Sequence, residues 1–169
     1  MSLPAPWVMK VIGPLHKSDV GGVVTGVPPA AAEKTFERLM EIDGARGVLV
    51  QETVAGPEVL IGLSREANFG HLVAFGLGGV QAEALREVKF GLAPLSGGEA
   101  ARIVRSIRAL PVIEGYRGQP GMDLALLGDL LTRVSLLGRD LPRIRELDIN
   151  PLKGVNTGLA AVDVRIILE

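Results

Sequence analysis

The sequence predicts an α+β fold with a mixed α/β arrangement of elements, and three observations carry that prediction. Strand-like apolar segments follow one another with short Gly/Pro breaks, so most sequential strands can pair antiparallel. Only three helical patterns occur, too few to place a helix between most strands as a doubly wound parallel sheet requires. The chain is 47% apolar over 169 residues, enough for a true core, and only 4% aromatic, so that core is built from Leu, Val, Ile and Ala.

The elements read in the order β, α, four β, two α, two β. Trp7 to Ile12 is a short buried strand with one charge, Lys10. Gly13 to Gly26 is a Gly-rich loop, and Pro28-Pro29 suits a helix entrance. Ala30 to Asp43 is helical, with Phe36, Leu39 and Met40 at core-facing spacing and Gly44 as its end. Gly47 to Val54 and Glu58 to Ser64 are strands joined by Ala55-Gly56-Pro57, which reads as a hairpin. His71 to Phe75 is a further strand, and Ala82 to Pro94 is strand-like. Ser96 with Glu99 has the capping-box spacing and starts a helix to about Arg108. A second helix spans Asp123 to Leu137, closed by Gly138. Two strands, Ile144 to Ile149 and Leu159 to Leu168, finish the chain, with Asn150 to Gly158 turning between them.

Composition narrows the function classes. The formal net charge is -1 with no basic block, which argues against nucleic acid as a partner. The chain has no cysteine, which excludes disulfides, thiolate metal sites and a cysteine nucleophile. No apolar run approaches the ~20 residues of a membrane helix and no signal peptide is visible, so no membrane is expected and a cytoplasmic location is. Met1-Ser2-Leu3 and Pro4-Ala5-Pro6 read as a tag or linker, and a fragment of a longer protein is expected.

Chemistry concentrates in the last two strands. In Arg145-Glu146-Leu147-Asp148-Ile149-Asn150, alternation puts Glu146, Asp148 and Asn150 on one face. Antiparallel pairing with the returning strand brings Asp163 close to Asn150 or Asp148. Clustered oxygen ligands suit Mg²⁺, a hard cation usually shared with phosphate; the plainer alternative is a solvated face with Asp163 paired to Arg165 or Arg145. Gly21-Gly22 and Gly76-Leu77-Gly78-Gly79 offer backbone N–H groups for an anion nest, or are simply turns. Lys10, central in an apolar strand, needs an anion unless it lies at a sheet edge and reaches water. His16 sits in the Gly-rich loop, as a phosphate acceptor or merely solvated. His71 has a structural role.

Together the segments VMKVIGPLHKSDVGGVVTGV, GVLVQETVAGPEVLIGL, FGHLVAFGLGGVQAEALREVKFGLAPL, GYRG and RELDINPL followed by GLAAVDVRIIL resemble the ADP-forming acetyl-CoA synthetases and the wider NDP-forming acyl-CoA synthetases. The resemblance covers essentially everything after Pro6. HKSDVGGV and FGLGGV are specific to that family, while the ending is shared with succinyl-CoA synthetase β chains.

The resemblance implies an ATP-grasp fold, N-terminally truncated, in which two α+β lobes clamp ATP. Residues 7–54 would be the remainder of the first lobe and 55–169 the second, carrying the metal site. Lys10 resembles the lysine on the ATP phosphates; Gln51, Glu52 and Val54 the hinge that receives adenine; Glu58 the ribose carboxylate; Glu83 an acidic position near the phosphates. Asn150 and Asp163 resemble Mg²⁺ ligands, Asp148 the acid that steadies a phosphohistidine, and His16 the loop histidine that carries phosphate in some members. The implied reaction is acyl-CoA + ADP + phosphate to acid + ATP + CoA, through an acyl phosphate and a phosphohistidine, with a CoA-binding domain or subunit as partner and inactivity of the fragment alone. The alternatives are a non-catalytic nucleotide-binding or regulatory module and a succinyl-CoA synthetase-like β chain.

Overall fold

A computed structural model of the chain describes residues 3–14, 17–78, 87–115, 118, 120–155 and 158–169. The chain divides into two compact units, Met1–Thr53 and Val54–Glu169.

The first unit is a three-stranded antiparallel sheet, order β2-β1-β3, formed by β1 (Trp7–Ile12), β2 (Val23–Val27) and β3 (Gly47–Glu52). A 3₁₀ turn at Pro29–Ala31, with Pro29 supplying a preset φ, leads into helix α1 (Ala32–Met40). The helix presents Leu39 to Met9, Val11 and Val27, the buried apolar cluster beneath it among the described residues, while Val8 is buried elsewhere on β1. So few core side chains make a unit of this size marginal in stability. Phe36 and Met40 do not join them: they are 46% and 38% exposed, because only a narrow stripe of α1 meets so small a sheet. The Gly-rich stretch is not loop to its end, since β2 takes up its last residues from Val23 and pairs with β1.

The second unit is a six-stranded antiparallel sheet made of β4 (Glu58–Glu66), β5 (Gly70–Leu77), β6 (Val88–Leu92), β7 (Ile144–Val155), β8 (Gly158–Ala161) and β9 (Val164–Leu168). Its order is β6-β5-β4-β7, and β8 and β9 follow one another along the far side of β7. Helices α2 (Gly97–Arg105), α3 (Leu110–Ile113) and α4 (Leu124–Asp140) complete the unit, and α2 and α4 pack together. Val59, Ile61 and Leu63 of β4, Val73 and Phe75 of β5, and Leu147 and Ile149 of β7 point to one face and form a single core with Val104, Leu127 and Leu131 of the helices. At ~25 cal/mol per Å² of apolar surface buried, each such side chain contributes about 2 kcal/mol, and this shared layer holds the unit together.

Local signals set several boundaries. The Ser96 hydroxyl accepts from the Glu99 N–H while the Glu99 carboxylate accepts from Ser96 N–H, the full capping box. Asp123 caps α4 by accepting from the N–H groups of Ala125 and Leu126. Gly138 does not end α4. It is buried within the helix, and a Cβ there would lie 2.9 Å from the His71 ring. That ring is buried and donates from Nε2 to the Ile144 carbonyl at 2.7 Å, a structural role.

Three further expectations are corrected. β3 and β4 are not a hairpin: β3 pairs with β1, β4 pairs with β5 and β7, and Ala55-Gly56-Pro57 links two sheets. Long-range packing, not the turn residues, chooses the partners. The strand at Ile144 does not stop at Ile149 but runs to Val155, with Pro151 accommodated where the ladder is irregular. The returning strand is split into β8 and β9 at Val162-Asp163. No helix among the described residues is long and apolar enough to cross a membrane.

Candidate nucleotide and metal site

One irregularity in β7 organises the polar face of the second sheet. Against β4, Ile149 pairs with Ile61 and Leu152 with Val59, so three steps along β7 oppose two along β4. The extra residue is a β-bulge at Asn150-Pro151, and it reverses the alternation. Before it the odd-numbered Leu147 and Ile149 are buried; after it the even-numbered Leu152 and Gly154 are. Asp148 and Asn150 lie outward before the bulge, and Lys153 lies outward after it. Glu58, opposite Lys153, shares that face.

Asp148 lies among charges of both signs, Arg165 on one side and Asp163 and Glu146 on the other. Its carboxyl is pushed above the usual aspartate range, first by burial and further by the charges of Asp163 and Glu146, with Arg165 opposing. Arg165 faces Asp148 across the β7–β9 ladder and also approaches Glu146 at 3.7 Å; Arg145 approaches the same glutamate at 3.6 Å. The Asn150 N–H donates to the Asp163 carbonyl at 3.1 Å, so the break between β8 and β9 sets Asp163 beside Asn150. Among the described residues no group of three or more His, Asp or Glu forms a closed metal cage. Two or three oxygen ligands on an open face suit a cation that takes its remaining ligands from phosphate and water.

At the other end of the face, Lys153 Nζ lies 2.7 Å from Glu58 Oε1 and donates to the Val54 carbonyl at 2.8 Å. A cleft of about 320 Å³ opens beside Glu58, lined also by Gly56, Leu77, Gly78 and Val112.

In the first unit Lys10 is 5% exposed and sits in the central strand, which removes the sheet-edge alternative. Its cross-strand neighbour is Leu49, and Val8 pairs with Gln51, so Lys10 and Gln51 share the face opposite α1; Glu52 is exposed and pairs with Trp7. The Gly21 and Gly22 N–H groups are not offered to an anion: they donate to the Ser18 and Lys17 carbonyls at 3.1 and 2.7 Å, closing a turn. Gly76 and Gly78 permit close strand packing instead, since a Cβ would lie 2.8 Å from the Glu87 carbonyl oxygen or 3.0 Å from the Val59 backbone. His16, Gly79 and Glu83 lie outside the described residues. Lys153 was not singled out from the sequence; the signal that points to it is Pro151 inside a strand pattern, which marks a bulge and hence a change of face.

Each unit is an antiparallel sheet with a helix-covered apolar face and polar residues on the other, which makes the chain an α+β protein. The chain belongs to the ATP-grasp domain family, whose profile matches residues 1–168. It is 41% identical to the ADP-forming acetate–CoA ligase I of Archaeoglobus fulgidus over 99% of this chain and 26% of that protein. It is 36% identical to the beta subunit of the ADP-forming acetate–CoA ligase I of Pyrococcus furiosus over 96% of this chain and 75% of the subunit. The chain thus spans about a quarter of the former relative and three quarters of the latter. Among solved structures it resembles the dinucleotide-forming acetyl-coenzyme A synthetase 1 of Candidatus Korarchaeum cryptofilum in complex with coenzyme A, Ca-AMPCP and HgCl⁺, with a TM-score of 0.87, 36% identity, and coverage of 99% of this chain and 78% of that one. The same synthetase is known with coenzyme A and Mg-AMPPCP, its phosphohistidine segment pointing towards the nucleotide-binding site.

Proposed function

We propose that this chain is the nucleotide-binding, phosphoryl-transferring part of an ADP-forming acyl-CoA synthetase, acting in acyl-CoA + ADP + phosphate to acid + ATP + CoA. The observation that carries the proposal is the single outward face of β4 and β7, where Glu58, Asp148 and Asn150 follow one another with Asp163 alongside. Residues 7–54 form the remainder of a first ATP-grasp lobe and 55–169 the second. The partner is a CoA-binding domain or subunit, in keeping with a much longer fused relative and with a relative that is itself a beta subunit. The cytoplasm, which holds ADP and CoA, is its location.

Each side chain then has a task. Asn150 and Asp163 would hold Mg²⁺, whose charge would offset that of the phosphates. The Lys10 ammonium, buried in its sheet, takes a phosphate oxygen as counter-ion. Gln51, Glu52 and Val54 receive the base, and Glu58 accepts from the ribose hydroxyls. Glu83 stands near the phosphates. His16 accepts the phosphoryl group on a ring nitrogen from a phosphohistidine of the CoA-binding partner, freeing that histidine, and the ADP β-phosphate oxygen then attacks the same phosphorus, breaking its bond to His16 and forming ATP. Asp148 orients and charge-stabilises the phosphorylated imidazole.

Calorimetric titration with ATP and ADP, with and without Mg²⁺, tests the proposal. Weak, Mg²⁺-dependent binding is expected. Tight binding indifferent to metal would show that the nucleotide lies elsewhere.

A further inference from the structure

We infer that Lys153 is a positioning residue of the nucleotide site: its ammonium holds the Glu58 carboxylate in the orientation that accepts ribose hydroxyls. The inference rests on Glu58 being the ribose-binding carboxylate.

The geometry separates this role from one of merely holding the chain together. The backbone around Glu58 is already fixed by other bonds. The Gly154 N–H donates to the Pro57 carbonyl at 3.1 Å, and the Gly78 N–H donates to the Glu58 carbonyl at 2.9 Å. Lys153 adds a contact directed at the side chain, 2.7 Å from Oε1, and braces itself on the Val54 carbonyl at 2.8 Å. With its side chain 18% exposed, against 31% for Glu58, the pair is shielded enough to keep one geometry, unlike a solvated surface pair. Held through Oε1, the carboxylate presents Oε2 to a hydroxyl donor, so the ordering cost is met before the ligand arrives. The bulge at Asn150-Pro151 is what permits this, because without it Lys153 would point into the core.

Chemical-shift titrations of the full chain with Mg-ADP and with Mg-2′,3′-dideoxy-ADP test it, since shift changes report weak affinities. The wild-type chain is expected to bind ADP roughly tenfold more tightly than the dideoxy nucleotide, the effect of losing hydrogen bonds to a charged acceptor. Lys153→Met keeps the aliphatic stem, removes the charge and should cut that ratio to below about threefold, mostly by weakening ADP; Lys153→Arg should restore most of it. Lys153→Gln, which still donates to Val54 and so protects folding, should behave as Met. If the wild type discriminates and both Lys153→Met and Lys153→Gln keep the full ratio, Lys153 does not position Glu58 and the inference falls alone. A wild type that does not discriminate overturns the ribose role of Glu58, and this inference with it.

Discussion

Gly56 is the position where a single added methyl should do most damage to the candidate site. Its φ is +138°, a region L side chains rarely adopt, and a Cβ would lie 1.9 Å from the Gly154 carbonyl oxygen, about 1.5 Å inside the 3.4 Å of an ordinary contact. The obstacle is backbone of a central strand, so no rotamer change relieves it. Forcing this φ costs about 1–3 kcal/mol, and pushing the segment off β7 breaks the Gly154–Pro57 bond, worth about 1 kcal/mol. The entropy lost by the unfolded chain returns only ~0.4–1 kcal/mol. Gly56→Ala should therefore destabilise by about 2–3 kcal/mol, or about 4–12 °C in Tm for a chain of this size. Gly154→Ala is the control. It lies against the same segment, yet its added Cβ meets Met122 Cγ at 2.5 Å, the middle of a flexible side chain, and should cost nearer 1–2 kcal/mol. Thermal melting by circular dichroism measures both. If Gly56→Ala melts within 2–3 °C of wild type, or Gly154→Ala proves the worse of the two, the close crossing of these strands is not as described.

Other perturbations probe the polar face of the second sheet, the loop histidine and the helices. Asp163→Asn should leave the melting temperature of the metal-free chain unchanged or raise it, and should abolish the stabilisation that Mg-ADP gives the wild type; a large drop in Tm with nucleotide stabilisation intact would make Asp163 a structural ion-pair partner instead. Because the Asp148 carboxyl titrates above its usual value near 3.8, its contribution to stability is fully present below that pH and is lost as pH rises through its folded titration. Asp148→Asn should accordingly gain on wild type as pH climbs from about 4 towards neutrality, and a gap that shrinks over that range refutes the sign. In a reconstituted synthetase, His16→Gln should still form acyl phosphate from acyl-CoA and phosphate yet fail to make ATP; undiminished ATP formation excludes a carrier role. Ser96→Ala removes half of the capping box and should cost about 1 kcal/mol in a chemical denaturation curve, with nucleotide titrations unchanged.

What could be read from the sequence was what short-range chemistry decides. The bounds of β1, the capping box at Ser96 and Glu99, the start of a helix at Asp123 and the outward set Glu146, Asp148 and Asn150 all follow from spacing within a few residues, and each has its counterpart in the fold. Pairing does not follow in this way. Ala55-Gly56-Pro57 has hairpin chemistry, but β3 finds its partner some 40 residues back and β4 finds one of its own some 90 residues ahead. Helical spacing placed Phe36 and Met40 with Leu39, and only the narrow width of the three-stranded sheet leaves them outside. The candidate site was legible in residue type and order, and illegible at Lys153, because a bulge is a property of two strands and leaves only a proline in one of them as its trace.

That bulge has a consequence for how this protein can vary. In most domains length changes collect in loops, while strands tolerate substitution and resist insertion. Here the Asn150-Pro151 step makes β7 a strand whose residue count matters as much as its side chains. Deleting Pro151 would restore an even ladder and swap the faces of everything downstream: Leu152 would turn to water, Lys153 would turn inward, and the Asp148–Asn150 end and the Glu58–Lys153 end of the face would fall out of phase. A homologue that gained or lost one residue at this step would need a second, compensating length change in β4 to stay functional. Paired insertions at these two positions, rather than conserved identities, are the footprint to seek when more distant members of the family are compared.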